Sequence, residues 1–169
     1  MVKKLRSNPS AIFAIIGLTS FIALTTAFTS EAFLGLEPCV FCIYQRYPFA
    51  IGIVLGLLGI SLKNKAIAVK ALLGLTSLNF FVNTGIAITH SGIERDWWQS
   101  PIEGCSVHFA SENNGKSIFE NLMSAPLGDC SKIPWQDPIL GLSMANYNIG
   151  LCFGLAVLCL IPLLKLKSK

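Results

Sequence analysis

Four long apolar stretches constrain the fold of this protein more than any other feature. They cover approximately residues 11–29, 47–62, 71–89 and 147–164. Three of them approach the ~20 residues that a helix needs to cross a bilayer. The second is short unless its helix begins earlier, near Cys42, and carries Arg46 to the interface, where the long side chain can snorkel. We therefore predict an all-α membrane protein, one integral domain over residues 1–169 built as a four-transmembrane-helix bundle.

Composition supports this class. Hydrophobic residues make up 53% of the sequence and charged residues only 13%, whereas soluble domains carry about 25% charged residues. The mean hydropathy is +0.62. An ordinary soluble domain is therefore excluded, and the net charge of +4 is better explained by membrane topology than by nucleic-acid binding. We expect the lipid bilayer, and no nucleic acid, among the partners.

The basic residues are distributed unevenly between the two sides of this four-span arrangement. Nine lie on the side of the two termini, and four lie on the opposite side together with every acidic residue. By the positive-inside rule, both termini are predicted to be cytoplasmic, with two outer loops at about 30–46 and 90–146. The nine are Lys3, Lys4, Arg6, Lys63, Lys65, Lys70, Lys165, Lys167 and Lys169; the four are Arg46, Arg95, Lys116 and Lys132.

A cleaved signal peptide is the alternative interpretation of the first span. Lys3, Lys4 and Arg6 precede the apolar run, as in a signal sequence. No clear small-x-small cleavage site follows the run, and cleavage would remove the first helix of the bundle. We expect the span to be retained.

Cys39 and Cys42 form a Cys-x-x-Cys pair where the first outer loop meets the second apolar stretch. Such a pair can close into a disulfide or hold a metal. If Glu37 and Pro38 begin a helix, both cysteines fall in its first turn, where unpaired N–H groups and the helix dipole favour a thiolate. Arg46 lies one turn after Cys42 and is expected to face the same sulfur. The spacing therefore indicates a reactive pair.

Two further cysteines, Cys105 and Cys130, lie in the second outer loop. A structural bridge between them would contribute roughly 3.5 kcal/mol in the chain-entropy model. A loop rich in Gly, Ser and Asn instead predicts a mobile, accessible bridge, which is the exchangeable kind. Two outer pairs thus suggest a thiol–disulfide relay, for which a quinone is the available two-electron oxidant within a membrane.

Zinc binding by the four outer cysteines is a weaker alternative. An oxidising compartment and the positive charge of Arg46 beside the pair both disfavour it, and we expect no metal. The last two cysteines, Cys152 and Cys159, lie on the fourth span about 10 Å apart along a helix, which is too far to bridge. We assign them no role beyond small buried side chains.

Polar residues interrupt the third span. Asn79 and Asn83 lie four residues apart with Thr76 nearby, so this stripe is expected to face the bundle. Hydrogen bonding between helices is favoured over contact with a ligand. His90 ends the span at the outer interface, where a lone histidine is usually solvated.

The second outer loop is too long to be an idle connection. Its tryptophans, Trp97, Trp98 and Trp135, suit an interfacial belt. Residues 117–123 combine a capping-box pattern, Ser117 with Glu120, and an apolar face. They predict a short helix on the membrane surface, with packing against the bundle as the alternative.

Taken together, these motifs resemble those of the bacterial disulfide-bond formation protein B (DsbB) family, membrane oxidases that regenerate DsbA. Residues 38–46, Pro-Cys-Val-Phe-Cys-Ile-Tyr-Gln-Arg, are similar to the family signature P-C-x-x-C-x-x-x-R. The sequence Gly-Asp-Cys at 128–130, followed by Trp135 and by Leu-Gly-Leu at 140–142, is similar to the family's second-loop pattern. The resemblance covers essentially the whole length, and it implies a four-helix bundle.

The resemblance also implies a quinone cofactor, either ubiquinone or menaquinone. Cys39 and Cys42 would be the quinone-coupled pair, with Cys42 facing the quinone. Arg46 would help to bind and polarise the quinone. His90 matches a family histidine close to the quinone head group.

A periplasmic DsbA-like protein of thioredoxin fold is the implied partner. Its thiolate would attack Cys105, and Cys130 would exchange with Cys39 to connect the two pairs. The implied location is the bacterial inner membrane, with both termini cytoplasmic and the active loops periplasmic.

Two alternatives remain. One is a structural or partner-binding membrane protein whose outer disulfides only brace its loops. The other is an oxidase resembling vitamin K epoxide reductase, in which the Cys-x-x-Cys pair precedes the last helix of the bundle, whereas here it opens the second.

Overall fold

The computed structural model of this protein describes residues 9–102, 105 and 129–166. These residues form four helices, α1 (Pro9–Leu34), α2 (Val40–Ser61), α3 (Ala66–Glu94) and α4 (Met144–Leu166), and no β-strand. All four are long and apolar enough to cross a membrane. The predicted all-α fold with four membrane-spanning helices is confirmed.

The connections bring four helix ends together. Because residues 35–39 join α1 to α2 and residues 62–65 join α2 to α3, the helices run in alternating directions. The end of α1, the start of α2, the end of α3 and the start of α4 therefore meet at one end of the bundle, here called the outer end. The surface helix predicted at 117–123 lies outside the described residues.

The middle of the bundle is a continuous apolar core. In it α1 packs mainly on α2 and α3 mainly on α4, while α2 and α3 join the two pairs. The buried core residues are Ile12, Phe13, Ile16, Phe49, Val69, Leu72, Leu73, Phe80, Cys152, Leu155, Ala156 and Cys159.

Glycines of α2 let its backbone approach α1 closely. A Cβ atom on Gly56 would lie 2.9 Å from the Phe13 carbonyl oxygen and 3.0 Å from the Gly17 Cα atom. Both neighbours are backbone atoms, which cannot rotate away. The small-residue contact is the kind by which helices associate within membranes.

We expect Gly56→Ala to destabilise the protein by about 1–3 kcal/mol, because the added methyl group must push the two backbones apart. Gly150→Ala is the matched control, since nothing lies within 4 Å of a Cβ atom there. Thermal unfolding in detergent, followed by circular dichroism, measures the difference. An unchanged midpoint for Gly56→Ala would contradict this packing.

The polar stripe of α3 faces the bundle, as predicted. Asn79 Nδ2 donates to the Pro48 carbonyl oxygen at 2.9 Å, and Asn83 Nδ2 donates to the Gln45 carbonyl oxygen at 3.3 Å. Pro48 lies inside α2, where it removes one helical hydrogen bond. The two asparagines thus tie α3 to α2 around this irregular turn, which confirms the expected helix-to-helix hydrogen bonding.

Candidate active site with two cysteine pairs

The first cysteine pair lies at the start of α2. Cys39 is the N-cap, with extended backbone angles, and its sulfur accepts a hydrogen bond from the Cys42 backbone N–H. The expectation that both cysteines lie in the first turn is wrong for Cys39, because the helix begins at Val40. A side-chain acceptor at the N-cap satisfies one of the unpaired N–H groups of the helix start. Starting at this pair also gives α2 its 22 residues.

The two sulfurs of this pair differ in environment. Both thiols are free, and Cys39 Sγ donates to Cys42 Sγ at 3.1 Å. Cys39 is only 4% exposed, whereas Cys42 is half-buried. The hydrogen bond to Cys42 and burial both raise the pKa of the Cys39 thiol. Cys39 therefore keeps its proton, and Cys42 is the sulfur placed to carry negative charge at the helix N-terminus.

We accordingly expect iodoacetamide to alkylate Cys42 at least about tenfold faster than Cys39 near pH 8, because only the thiolate is nucleophilic. The measurement uses reduced protein, in which peptide mapping separates this pair from the buried membrane thiols Cys152 and Cys159. Mass spectrometry of peptides after brief labelling shows which of the two cysteines is alkylated first. Faster modification of Cys39 would contradict the assignment.

His90 is a buried member of the site. It is 4% exposed, its ring stacks on Phe41 with centroids 5.7 Å apart, and its Nε2 atom lies 3.3 Å from Cys39 Sγ. The expectation of a solvated interfacial histidine is wrong, because α3 continues to Glu94, one turn beyond. Sequence reasoning overlooked Glu94, although it lies four residues after His90 and so on the same face.

Glu94 is a buried carboxylate beside this histidine. It is 8% exposed, and its Oε1 atom lies 3.8 Å from His90 Nε2. Its Oε2 atom accepts a hydrogen bond from the Ser143 hydroxyl. Ser143, the residue before α4, therefore ties the start of α4 to the end of α3.

Arg46 forms an ion pair and a cation–π contact with residues of α1. Its guanidinium donates to Glu31 Oε2 at 2.8 Å and lies 4.9 Å from the centre of the Phe28 ring. Among the described residues it makes no hydrogen bond to Cys42, but its positive charge acts on the Cys42 sulfur through space, as expected. Glu31 and Phe28 were not singled out from the sequence, because their pairing with Arg46 depends on how α1 crosses α2.

The second cysteine pair, Cys105 and Cys130, is joined by a disulfide. The two residues are 1% and 0% exposed, and they belong to one hydrophobic cluster with Cys39, Phe41 and Ile93. The expectation of an accessible bridge is therefore wrong for this state, because the cluster covers both sulfurs. In this state a soluble thiolate has no direct access to either sulfur.

The structure also bears on metal binding. A zinc site made of all four outer cysteines is incompatible with this disulfide state. The ligand atoms of Cys39, Cys42 and His90 lie within 4.8 Å of one another, so these three residues have the spacing to hold a soft metal ion while the pair is reduced.

Two further polar side chains, the buried Gln45 and the half-buried Asn148, lie behind His90. Gln45 is 7% exposed and hydrogen-bonds to both His90 and Asn148. Asn148 in turn accepts a hydrogen bond from Cys152. The sequence signal for these residues was present but weak: a glutamine three positions after Cys42, and an asparagine within an apolar span, four positions before a cysteine.

Four apolar helices and a cluster that brings a free and a bonded cysteine pair together are the features expected of a membrane thiol–disulfide oxidoreductase. Residues 9–162 match the profile of the family described as disulfide bond formation protein DsbB. The chain belongs to this family, as the motifs at 38–46 and 128–142 indicated.

Curated relatives agree with this membership. Disulfide bond formation protein B of Albidiferax ferrireducens is 30% identical over 95% of this chain and 90% of its own length. The proteins of the same name from Xanthomonas axonopodis pv. citri and Xylella fastidiosa are 34% and 32% identical, over 86% and 90% of this chain and 85% and 90% of their own lengths. No solved structure shows significant similarity to this sequence.

Proposed function

We propose that this protein reoxidises a periplasmic DsbA-like thiol oxidase and passes the electrons to a membrane quinone. One observation carries the proposal: Cys39, Cys105 and Cys130 share a single hydrophobic cluster at the outer end. Thiol–disulfide exchange requires a thiolate to approach a sulfur. With both pairs in one cluster, exchange between them needs only local movement.

The exchange begins at the loop pair. A thiolate of the soluble partner attacks Cys105, which breaks the Cys105–Cys130 bond and releases Cys130 as a thiolate. Cys130 then attacks Cys39 of the oxidised Cys39–Cys42 pair and releases Cys42 as a thiolate. The order follows the family resemblance.

The loop pair is then restored. The partner's second thiol displaces Cys105, leaving the partner with a disulfide, and Cys105 attacks Cys130 to release Cys39. The net result is an oxidised partner and a reduced Cys39–Cys42 pair. The described state, with the loop bridge closed and Cys39 and Cys42 free, corresponds to this point of the cycle.

The final acceptor must be a strong oxidant. DsbA has a reduction potential of about −120 mV, so ordinary disulfides reoxidise it poorly. A quinone held beside Arg46 and Cys42 would supply a two-electron, two-proton acceptor for the dithiol, so that Cys39 and Cys42 could close into a disulfide. Whether it is ubiquinone or menaquinone, its carbonyl oxygens need hydrogen-bond donors.

The residues around Arg46 fit such a head group. Arginine carries five N–H donors, of which one binds Glu31, and the side chain is 19% exposed. The Phe28 ring beside it is 55% exposed and offers a flat apolar surface. Arg46 lies one helical turn after the half-buried Cys42, so a quinone bound there would lie on the side of the more accessible sulfur.

We expect Arg46→Ala to raise the KM for quinone by about tenfold or more, since charged hydrogen bonds contribute about 1.5–3 kcal/mol. Arg46→Lys should recover only part of the loss, because lysine lacks the planar fork. Arg95→Ala is the matched control: this outer arginine is exposed and lies over Trp97. Steady-state quinone reduction gives the KM, and an unchanged value for Arg46→Ala would contradict the quinone site.

The proposal includes the orientation. The outer end, with both cysteine pairs, faces the periplasm of a bacterial inner membrane, and both termini are cytoplasmic. Labelling of single introduced cysteines in spheroplasts with a membrane-impermeant maleimide tests this. A cysteine at Asn64, between α2 and α3, should be protected, whereas one at Ile139, which is 87% exposed, should react.

A further inference from the structure

A row of hydrogen bonds leads from the interior of the bundle towards Cys39. Asn83 Nδ2 lies 3.2 Å from Cys152 Sγ, and the Cys152 thiol donates to Asn148 Oδ1 at 3.1 Å. Asn148 Nδ2 then donates to Gln45 Oε1. We call Asn83, Cys152, Asn148 and Gln45 the Gln45 network. It links α2, α3 and α4.

The network ends on the histidine of the active site. Gln45 Nε2 lies 3.0 Å from His90 Nδ1, and His90 Nε2 lies 3.3 Å from Cys39 Sγ. Cys39 Sγ donates to Cys42 Sγ. A continuous series of buried and partly buried contacts thus joins the middle of α4 to the reactive pair.

The direction of these hydrogen bonds is fixed at the inner end. Asn83 Nδ2 also donates to the Gln45 backbone carbonyl, which can only accept, and a flipped amide would place two oxygens against each other. Cys152 therefore accepts from Asn83, so its own hydrogen is free to point to Asn148. Asn148 Oδ1 accepts it, and Asn148 Nδ2 is left to donate to Gln45.

The same direction extends to the histidine. Because Gln45 Oε1 accepts from Asn148, Gln45 Nε2 is the group that faces His90 Nδ1, and it can only donate. Nδ1 of neutral His90 must then be the acceptor, which places the ring hydrogen on Nε2. Glu94 Oε1, at 3.8 Å from Nε2, is too far for a hydrogen bond, whereas Cys39 Sγ lies within range for sulfur.

We propose that Gln45, Asn148 and Cys152 are positioning residues that fix the tautomer of His90, so that its Nε2–H donates to Cys39 and orients the Cys39 thiol towards Cys42. Each residue of the series then donates its hydrogen bond to the next residue on the way to Cys42. Hydrogen bonds aligned in this way strengthen one another in a low-dielectric interior. The network thereby favours a thiolate on Cys42.

The positioning role rests on the proposed function, because it serves the reactivity of the Cys39–Cys42 pair. Its test, however, requires neither a quinone nor a partner protein. The protein contains two histidines, so a His108→Gln variant with ¹⁵N-labelled histidine gives imidazole signals from His90 alone. Nitrogen chemical shifts distinguish the two neutral tautomers. Near pH 8, in reduced full-length protein, we expect the hydrogen on Nε2.

Substitutions in the Gln45 network test whether it causes the preference for hydrogen on His90 Nε2. Gln45→Met and Asn148→Ala should allow both tautomers, and Cys152→Ala should weaken the preference. Cys152→Ser should restore it, because a hydroxyl both accepts and donates. Cys159→Ala is the matched control, since Cys159 is equally buried on α4 but lies outside the network.

Alkylation of Cys42 provides the second measurement. At fixed pH we expect its rate to fall about 3- to 10-fold in Gln45→Met and to stay unchanged in Cys159→Ala. Hydrogen on Nδ1 in the unmodified network, or an Nε2 preference that survives both Gln45→Met and Asn148→Ala, would overturn the proposal. If quinone reduction failed while the tautomer behaved as expected, the proposed function would fall and the positioning role would stand.

Discussion

Replacing Cys42 with serine is expected to abolish quinone reduction by the purified protein, with a loss of at least about a thousandfold, as for removal of a catalytic nucleophile. The reason is chemical: a serine hydroxyl cannot form a disulfide with Cys39, so no electron pair can be delivered. The substitution should disturb the folded structure little, because Cys42 is only half-buried and lies at the start of α2. Quinone absorbance with a reduced DsbA-like donor measures the effect.

Cys159→Ser is the matched control for this prediction. Cys159 is a free cysteine at 0% exposure in the apolar core, so its substitution perturbs packing at least as much as that of Cys42. We expect it to keep quinone reduction within about threefold of the unmodified protein. If Cys42→Ser also kept that activity, the pair at 39 and 42 would not be the route to the quinone.

The double variant Cys105→Ser, Cys130→Ser is expected to separate the two halves of the electron path. Its rate of oxidation of the DsbA-like protein should fall by about a hundredfold or more, because the partner's thiolate has no loop disulfide to attack. It should still reduce quinone with a small dithiol such as dithiothreitol, which can exchange with Cys39–Cys42 directly. The two donors are compared in the same absorbance assay.

Cys39→Ser supplies the contrast, since it should lose activity with both donors. Equal activity of the Cys105, Cys130 double variant with both donors would mean that the partner reaches Cys39–Cys42 without the loop pair. The burial of Cys105 and Cys130 adds a second expectation. Oxidation of the partner should be limited by exposure of Cys105 from its hydrophobic cluster, whereas oxidation of a small dithiol through the half-buried Cys42 should not.

Much of the fold follows from the sequence because membrane spans depend on local composition. Length and hydropathy were sufficient for four helices. The polar stripe of Asn79 and Asn83 pointed inward as expected, since a polar group in a bilayer must find a partner within the protein. The start of α2 was misjudged: the helix begins at Val40 and not at Glu37 or Pro38, because Cys39 is its N-cap.

The site was harder to predict because its contacts join residues that are distant in sequence. His90 and Cys39 are 51 positions apart, and Arg46 and Glu31 are 15 apart. Only the way α3 and α1 cross α2 brings these side chains together. The sequence indicated that the outer cysteines react, but it could not reveal that Arg46 turns to α1 or that His90 is buried.

Cys152 illustrates the same limit in the apolar core. An isolated cysteine in a hydrophobic span is usually a small packing residue, and Cys159 fits that description. Cys152 differs only because Asn83 and Asn148 reach it from α3 and from the preceding turn of α4. That distinction depends on three-dimensional contacts, which periodicity alone does not specify.

The proposed path takes electrons from a soluble dithiol, through both cysteine pairs, to a membrane quinone. It is tested most directly by following quinone absorbance and free thiols together, with purified protein in detergent and an excess of reduced DsbA-like protein. We expect one quinone to be reduced for every two thiols lost, over many turnovers. Unchanged absorbance with every quinone tried, in folded protein that carries both outer disulfides at the start, would contradict it and favour the structural role.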